Sequence, residues 1–124
     1  MPLKILICDD DEAVLGMLRF KLAKDNIGEV FTAHDGYQAM KHLREQNFDL
    51  VITDIHMPHH DGGEVVNLIR NEQKKIIPII MLSSDGEEEV IALAKKNGVN
   101  EFIKKPIKSA DDVAKRVRKL LHLK

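Results

Sequence analysis

Short apolar runs alternate along this chain with longer segments in which apolar residues recur at helical spacing. The apolar runs predict five β-strands, at 4–8, 30–33, 50–53, 79–82 and 102–103. The longer segments predict five helices; in the first of them, Val14, Leu15, Leu18 and Leu22 are spaced as one buried helix face. Parallel strands need crossover connections, and the crossover helices then cover both faces of the sheet. The pattern therefore predicts an α/β fold, a doubly wound five-stranded parallel sheet with five helices.

Two of the helices are well marked at their ends. The segment 87–97 has helical spacing that turns Val90 and Leu93 towards the core, and Gly98 follows it where a carboxyl-terminal cap is expected. Ser109 is placed to cap the last helix, because its hydroxyl can accept a hydrogen bond from the first turn.

Composition and charge narrow the class of protein. A chain of 124 residues is long enough for one domain, 1–124, that buries a core without disulfide bonds. With 19 basic and 20 acidic residues the formal charge is -1, which gives no reason to expect a nucleic-acid surface. The apolar stretch 76–82 is interrupted by Pro78 and falls far short of the roughly 20 residues that a membrane helix needs. The absence of a secretion signal and the single cysteine, Cys8, predict a cytoplasmic protein in which Cys8 is a core residue.

Four of the apolar runs end in polar residues that are suited to phosphate or metal chemistry. Asp9 and Asp10 follow the first strand, Asp54 the third, Ser83 the fourth and Lys105 the fifth. Because the carboxyl ends of parallel strands share one edge of a sheet, we expect these side chains to converge on one crevice.

Three carboxylates in one crevice would raise the pKa of at least one of them unless a cation lay among them. Magnesium suits such a site, since it prefers oxygen ligands and keeps several waters. Asp54 could then act as a nucleophile, with Lys105 and Ser83 neutralising or bonding the oxygens of a transferred phosphoryl group. The sequence has no Gly-rich phosphate loop, so the phosphoryl donor need not be a nucleotide held by this chain.

Four motifs together are similar to those of a known family. They are Asp9-Asp10, Asp54-Ile55-His56-Met57-Pro58 followed by Asp61-Gly62, Ser83-Ser84, and Lys105-Pro106. In this order and spacing, which covers essentially the whole chain, they resemble the receiver domain of two-component response regulators. The resemblance implies a flavodoxin-like fold with strand order 2-1-3-4-5, as in chemotaxis-type single-domain regulators.

The resemblance also implies a role for the acidic residues and the lysine. Asp54 would accept a phosphoryl group from a phosphohistidine on a sensor histidine kinase or a histidine phosphotransfer protein. Mg²⁺ would be held by Asp9, Asp10, Asp54 and the backbone carbonyl of His56. Lys105 would contact the phosphoryl group, and the Lys105-Pro106 peptide bond would be cis, which is a small cost before proline.

Other matching positions imply a switch and a timer. Ser83 and Phe102 match the hydroxyl and the aromatic residue that move after phosphorylation in this family. Because Phe102 has no hydroxyl, its switching would rest on packing alone. His56 and Asp85 lie where members of the family tune the lifetime of the acyl phosphate. The neighbouring histidines, His59 and His60, are expected to be solvated rather than to form a metal site.

The function implied is that of a single-domain response regulator, since the last predicted helix ends almost at Lys124. Such a protein is not an enzyme beyond its own phosphorylation and slow dephosphorylation. It would act on an unknown downstream protein, as a monomer or a phosphorylation-dependent dimer, without direct contact with nucleic acid or membrane. The alternatives are a receiver-shaped interaction module that acts without phosphorylation, the receiver fragment of a larger transcriptional regulator, and a phosphatase of the haloacid dehalogenase type. The phosphatase needs an aspartate where this chain has His56.

Overall fold

The computed structural model describes residues 2–84 and 88–123, and its centre is a parallel β-sheet. The strands are β1 (Lys4–Cys8), β2 (Glu29–Ala33), β3 (Leu50–Asp54), β4 (Ile79–Ser83) and β5 (Glu101–Lys104). Their order is β2-β1-β3-β4-β5, and every neighbouring pair is parallel. The predicted fold class, a doubly wound five-stranded parallel sheet in the order 2-1-3-4-5, is confirmed.

Five helices connect and follow the strands. They are α1 (Glu12–Lys24), α2 (Gly36–Glu45), α3 (Gly62–Asn67), α4 (Glu88–Lys96) and α5 (Ala110–Leu120). A π-helical segment, Leu68–Glu72, continues directly from α3. Ser109 caps α5 as predicted, by accepting a hydrogen bond of 3.2 Å from the backbone N–H of Asp112. None of the helices in the described ranges is long and apolar enough to cross a membrane.

The sheet separates two hydrophobic cores, because successive strand side chains point to opposite faces. On one face, Leu6, Cys8 and Met81 pack with residues of α2, α3 and α4. On the other face, Ile7 and Ile52 pack with residues of α1 and α5. Cys8 is fully buried, as predicted, and burial raises the pKa of its thiol, so that it remains protonated.

Helix α4 buries fewer residues than its sequence pattern predicts. Of its nine residues, all of them described, only Ala94 is buried. Leu93, which was predicted to face the core, is 59% exposed, and Val90 is half-buried, because this side of α4 borders a cavity. The predicted helix was correct within one residue at its carboxyl end, but residue 87 lies outside the described residues. Gly98 follows α4 with φ +103°, a left-handed conformation that favours glycine, and so confirms the predicted turn.

Candidate phosphorylation and metal site

The carboxylates of Asp9, Asp10 and Asp54 meet at the carboxyl edge of the sheet. One oxygen from each lies within 4.8 Å of the others, and this is the one acidic or histidine cluster with metal-binding geometry among the described residues. Asp9 is fully buried and Asp54 is 5% exposed, whereas Asp10 is open to solvent. The predicted convergence of these three side chains is therefore present in the structure.

Strand register explains this convergence. Cys8 of β1 pairs with Thr53 of β3, so Asp9 and Asp54 occupy the next positions on two adjacent strands. Ser83 of β4 pairs with Lys104 of β5, and the backbone N–H of Lys105 donates a 2.8 Å hydrogen bond to the Ser83 carbonyl. Residues distant in sequence are thus placed side by side by the ordinary hydrogen bonding of a parallel sheet.

Lys105 links the two buried carboxylates. Its ammonium Nζ lies 2.7 Å from Asp9 Oδ2 and 2.8 Å from Asp54 Oδ2. Burial alone would lower the pKa of Lys105, but the hydrogen bond with Asp54 and the charge of the Asp9 carboxylate outweigh that effect, and the pKa is raised. Lys105 is therefore a permanent positive charge at the site. The peptide bond that follows it, Lys105-Pro106, is cis, as expected.

The buried carboxylate of Asp9 has few hydrogen-bond donors around it. Its Oδ1 accepts a 2.9 Å hydrogen bond from the backbone N–H of Asp11. Its Oδ2 is close to the Lys105 ammonium but receives no hydrogen bond of normal geometry from the described residues. Burial, reinforced by the charge of Asp54, raises the pKa of Asp9, although Lys105 and the Asp11 amide oppose the shift. One ammonium does not balance two buried carboxylates.

These residues fit a divalent cation with oxygen ligands. Asp9 offers a buried oxygen without a hydrogen-bond donor, and Asp54 offers a second carboxylate beside it. Asp10 adds a third carboxylate on the solvent side, where a cation could also keep water ligands. Magnesium binds in this way, through one or two carboxylates and several waters.

Two residues support the backbone at Asp54: Thr53, which lies outside the predicted motifs, and Gly62, which belongs to the Asp61-Gly62 motif. The hydroxyl of Thr53, which is fully buried, donates a 3.0 Å hydrogen bond to the backbone oxygen of Asp54. Gly62 donates a 2.7 Å hydrogen bond to the Ile55 carbonyl, and a Cβ at Gly62 would overlap the Asp54 backbone oxygen. The close approach of the backbone is therefore the reason for glycine at this position. The signals available in the sequence are a hydroxyl directly before the acid and a glycine eight residues after it.

The remaining predicted residues surround this centre. Ser83 is fully buried at the end of β4, and Phe102 of β5 is half-buried against the core formed with α2, α3 and α4. His56 is exposed, and its backbone N–H lies 3.4 Å from Asp54 Oδ1. Asp85 lies outside the described residues.

The other two histidines differ from each other. His59 is exposed and has φ +72°. His60 was expected to be solvated, but its Nδ1 is 2.6 Å from the carboxylate of Glu64, and this contact lowers the pKa of Glu64. The exposed fraction of the His60 side chain is nevertheless 40%, so the contact is a surface hydrogen bond and not a buried one.

Comparison with known proteins assigns this arrangement to a family. The family model described as "Response regulator receiver domain" matches residues 5–118. The chain therefore belongs to the receiver domain family of two-component response regulators, and the resemblance seen in its motifs is confirmed.

Three relatives illustrate the match. The alkaline phosphatase synthesis transcriptional regulatory protein PhoP of Bacillus subtilis is 35% identical over 98% of this chain and 49% of its own length. The CAI-1 autoinducer sensor kinase/phosphatase CqsS of Vibrio cholerae is 39% identical over 83% of this chain and 15% of its own length. Among solved structures, the receiver domain of the Francisella response regulator 1452 is 29% identical, with a TM-score of 0.89 over 98% of each chain. The chain thus spans about half of PhoP and a small part of CqsS.

Proposed function

We propose that Asp54 accepts a phosphoryl group from a phosphohistidine on a sensor histidine kinase or a histidine phosphotransfer protein. The observation that carries this proposal is the pairing of a nearly buried Asp54 carboxylate with the Lys105 ammonium, beside Asp9 and Asp10. Receiver domains in general are signal transducers that take phosphoryl groups from histidine kinases, and the cluster of three carboxylates beside Lys105 supports the same role for this chain.

The transfer is a substitution at phosphorus. A carboxylate oxygen of Asp54 forms the new P–O bond while the P–N bond to the donor imidazole breaks, and the imidazole nitrogen keeps the electron pair and takes a proton from solvent. The Lys105 ammonium, held between Asp54 and Asp9, lies where it can neutralise a phosphoryl oxygen. The Ser83 hydroxyl would bond the same group, and Phe102 would turn inward after it.

Magnesium would be held by Asp9, Asp10, Asp54 and the backbone carbonyl of His56. When bound, the cation supplies positive charge that offsets the charge on the equatorial oxygens during transfer. The buried Asp9 oxygen without a hydrogen-bond donor supports this role, because a cation would satisfy it.

The phosphorylated domain would bind an unknown downstream protein through a changed surface, in the cytoplasm, as a monomer or a phosphorylation-dependent dimer. We expect no direct contact with nucleic acid or membrane. Its own phosphorylation and slow dephosphorylation would be its only catalysis, so repeated hydrolysis of an added phosphomonoester would contradict this function and support a phosphatase instead. An unchanged affinity for its partner after phosphorylation would favour the module that acts without phosphorylation.

Treatment with acetyl phosphate tests the proposal. With Mg²⁺, the intact mass should rise by one phosphoryl group; without a divalent ion, or in Asp54→Asn, it should not. Asp111→Asn is the matched control, since Asp111 is an exposed acid on α5 that lies outside the site. Phosphorylation that survives Asp54→Asn would reject Asp54 as the acceptor.

The coverage of the relatives favours a second candidate, in which this chain is the receiver portion of a larger transcriptional regulator. PhoP, which is named as a transcriptional regulatory protein, is about twice as long as the matching region. An antibody against this domain distinguishes the two on a blot of the source cells. A single-domain regulator gives a band at 14.1 kDa, whereas a larger regulator gives a heavier band.

A further inference from the structure

A cavity of about 360 Å³ lies between α3 and α4, next to the phosphorylation site. Its floor and inner wall are apolar and include Val66 and Met81, each 3% exposed. Three amide side chains, those of Asn67, Asn71 and Asn97, complete the lining. Pockets that bind small molecules have this size and character, mostly apolar with a few polar groups that fix orientation.

Helix α4 turns an apolar face towards this cavity, and that face is only partly packed. Ala94 is buried in the core, whereas Val90 and Leu93 border the cavity. Val90, Leu93, Ala94 and Asn97 line it, at the i, i+3, i+4 and i+7 spacing of one helix face. In a packed helix such a stripe is buried, yet Leu93 is 59% exposed. An occupant of the cavity would cover Leu93 and Val90 and would supply the contacts that α4 lacks.

The charge of the lining limits the chemistry of the occupant. Among the described residues that line the cavity, none has an ionisable side chain. A charged group entering it would lose water without gaining a counter-ion, which is unfavourable. An amide side chain both donates and accepts hydrogen bonds. Asn71 Nδ2 donates to Asn67 Oδ1 at 2.6 Å, and this pair still has an oxygen and further N–H groups to offer a ligand.

The cavity shares backbone with the phosphorylation site. Ile55 lines the cavity and directly follows Asp54, and its N–H donates a 3.1 Å hydrogen bond to the Leu82 carbonyl. Gly63, also in the lining, follows the glycine that packs against the Asp54 backbone oxygen.

We propose that the cavity between α3 and α4 binds a neutral small molecule that has an apolar body and an amide-like or hydroxyl head. The body lies on Val66 and Met81 under Leu93, and the head bonds the asparagine amides at the rim. This site is separate from the acidic cluster, and its binding does not require phosphorylation.

Two matched probes test the proposal, 4-phenylbutanamide and 4-phenylbutanoate, which share a body and differ in the charge of the head. With carbon-13 in the methionine methyl groups, the Met81 signal should shift saturably with the amide, while Met17, exposed on α1, serves as the internal reference. The carboxylate should bind about tenfold more weakly, because its charge has no partner in the lining. Equal affinity for the two probes, or no saturable Met81 shift, would overturn the proposal.

Substitutions on α4 locate the binding site. Ala94→Leu fills the cavity from the helix side and should abolish binding, whereas Ala92→Leu makes the same change at an exposed position of the same helix and should leave it intact. If Ala94→Leu does not unfold cooperatively, Leu93→Lys replaces it, since the exposed Leu93 tolerates a polar side chain. The new ammonium should reverse the preference, so that the carboxylate binds more tightly than the amide. Unchanged preference would refute the placement of the ligand.

Two further controls distinguish small-molecule binding from the proposed phosphorylation and from self-association of the chain. Asp54→Asn, which lacks the proposed phosphorylation site, should bind the amide with unchanged affinity, so failure of one proposal does not imply failure of the other. A Met81 shift that depends on protein concentration in the absence of probe would show that a second copy of the chain covers the cavity, and would overturn the small-molecule assignment.

Discussion

Neutralising Asp9 should stabilise the protein when no divalent cation is present. Asp9→Asn keeps the size of the side chain, and its amide oxygen can still accept the hydrogen bond from the Asp11 N–H. The substitution removes one of two buried carboxylates that share the single Lys105 ammonium. Asp54 and Lys105 then remain as a balanced pair.

The direction of the effect follows from the raised pKa of Asp9. Each unit by which folding raises this pKa corresponds to about 1.4 kcal/mol of cost for the ionised form at neutral pH. The upward direction already includes the attraction of Lys105, so removing the charge is a net gain. Burying a polar group without enough partners typically costs about 1–3 kcal/mol, and we expect a gain at the lower end of that range. With a urea dependence of about 1–3 kcal/mol per molar, the unfolding midpoint should rise by roughly 0.5 M.

The raised pKa of Asp9 also determines how the free energy of unfolding changes with pH. The folded protein holds the Asp9 proton more tightly than the unfolded chain, so the stability linked to Asp9 is full below the unfolded pKa of about 3.9 and is lost as pH rises through the folded pKa. The advantage of Asp9→Asn should therefore be absent near pH 3.9 and largest at neutral pH.

Urea unfolding with and without Mg²⁺ provides the measurement. Mg²⁺ at about one hundred times its Kd should stabilise the folded state by about 2.7 kcal/mol. Asp9→Asn should gain less stability from Mg²⁺, because it has lost a carboxylate oxygen that would bind the cation. Mg²⁺ should therefore reverse the order of the two proteins, while Asp111→Asn, which loses a surface ion pair with Lys21, should gain as much stability from Mg²⁺ as the unsubstituted protein does. If Asp9→Asn is the less stable protein at neutral pH without Mg²⁺, or if Mg²⁺ stabilises both equally, the charge imbalance argued for this site is wrong.

Three other substitutions probe the same structure by urea unfolding or phosphorylation. Lys105→Met leaves two buried carboxylates without their ammonium and should cost about 3 kcal/mol without Mg²⁺, most of it regained on adding Mg²⁺; an Mg²⁺-independent loss would contradict the charge argument. Arg70→Lys loses the paired contacts of 3.1 and 2.9 Å to the Gly98 carbonyl and should cost about 2 kcal/mol, whereas an effect near zero would show that the contacts are replaceable. Gly62→Ala should slow phosphorylation by acetyl phosphate, because the new Cβ displaces the backbone of Asp54. Gly16→Ala is the control, since a Cβ at Gly16 meets open space; it should leave the rate unchanged and add about 0.5–1 kcal/mol to the free energy of unfolding.

The fold and the acidic centre could be predicted because both depend on local patterns. Each strand is a short apolar run, and the βα alternation allows few arrangements other than a parallel sheet. Once the strands are parallel, Asp9 and Asp54 must lie at the same edge, whatever the details of packing. Asp54 and Ser83 were predicted directly after their strands; in the structure they are the last residues of β3 and β4, one residue beyond the predicted bounds but at the expected edge.

Features that depend on packing between distant elements could not be predicted. Apolar residues at 68 and 69 suit an α-helix and a π-helix equally, so the π-helical segment has no signature in the spacing. The contacts of Arg70 with Gly98 depend on where the chain returns after β4 and α4. The spacing of Leu93 indicates an apolar face but not whether α3 lies close enough to cover it.

The five-stranded sheet separates two interiors, and within 2–84 and 88–123 no buried side chain belongs to both of them. A change of volume on the side of α3 and α4 can be absorbed there without repacking the side of α1 and α5. Each half of the molecule can therefore accept new substitutions on its own, so descendants of this protein could acquire a different surface on one side while the packing on the other side is unchanged.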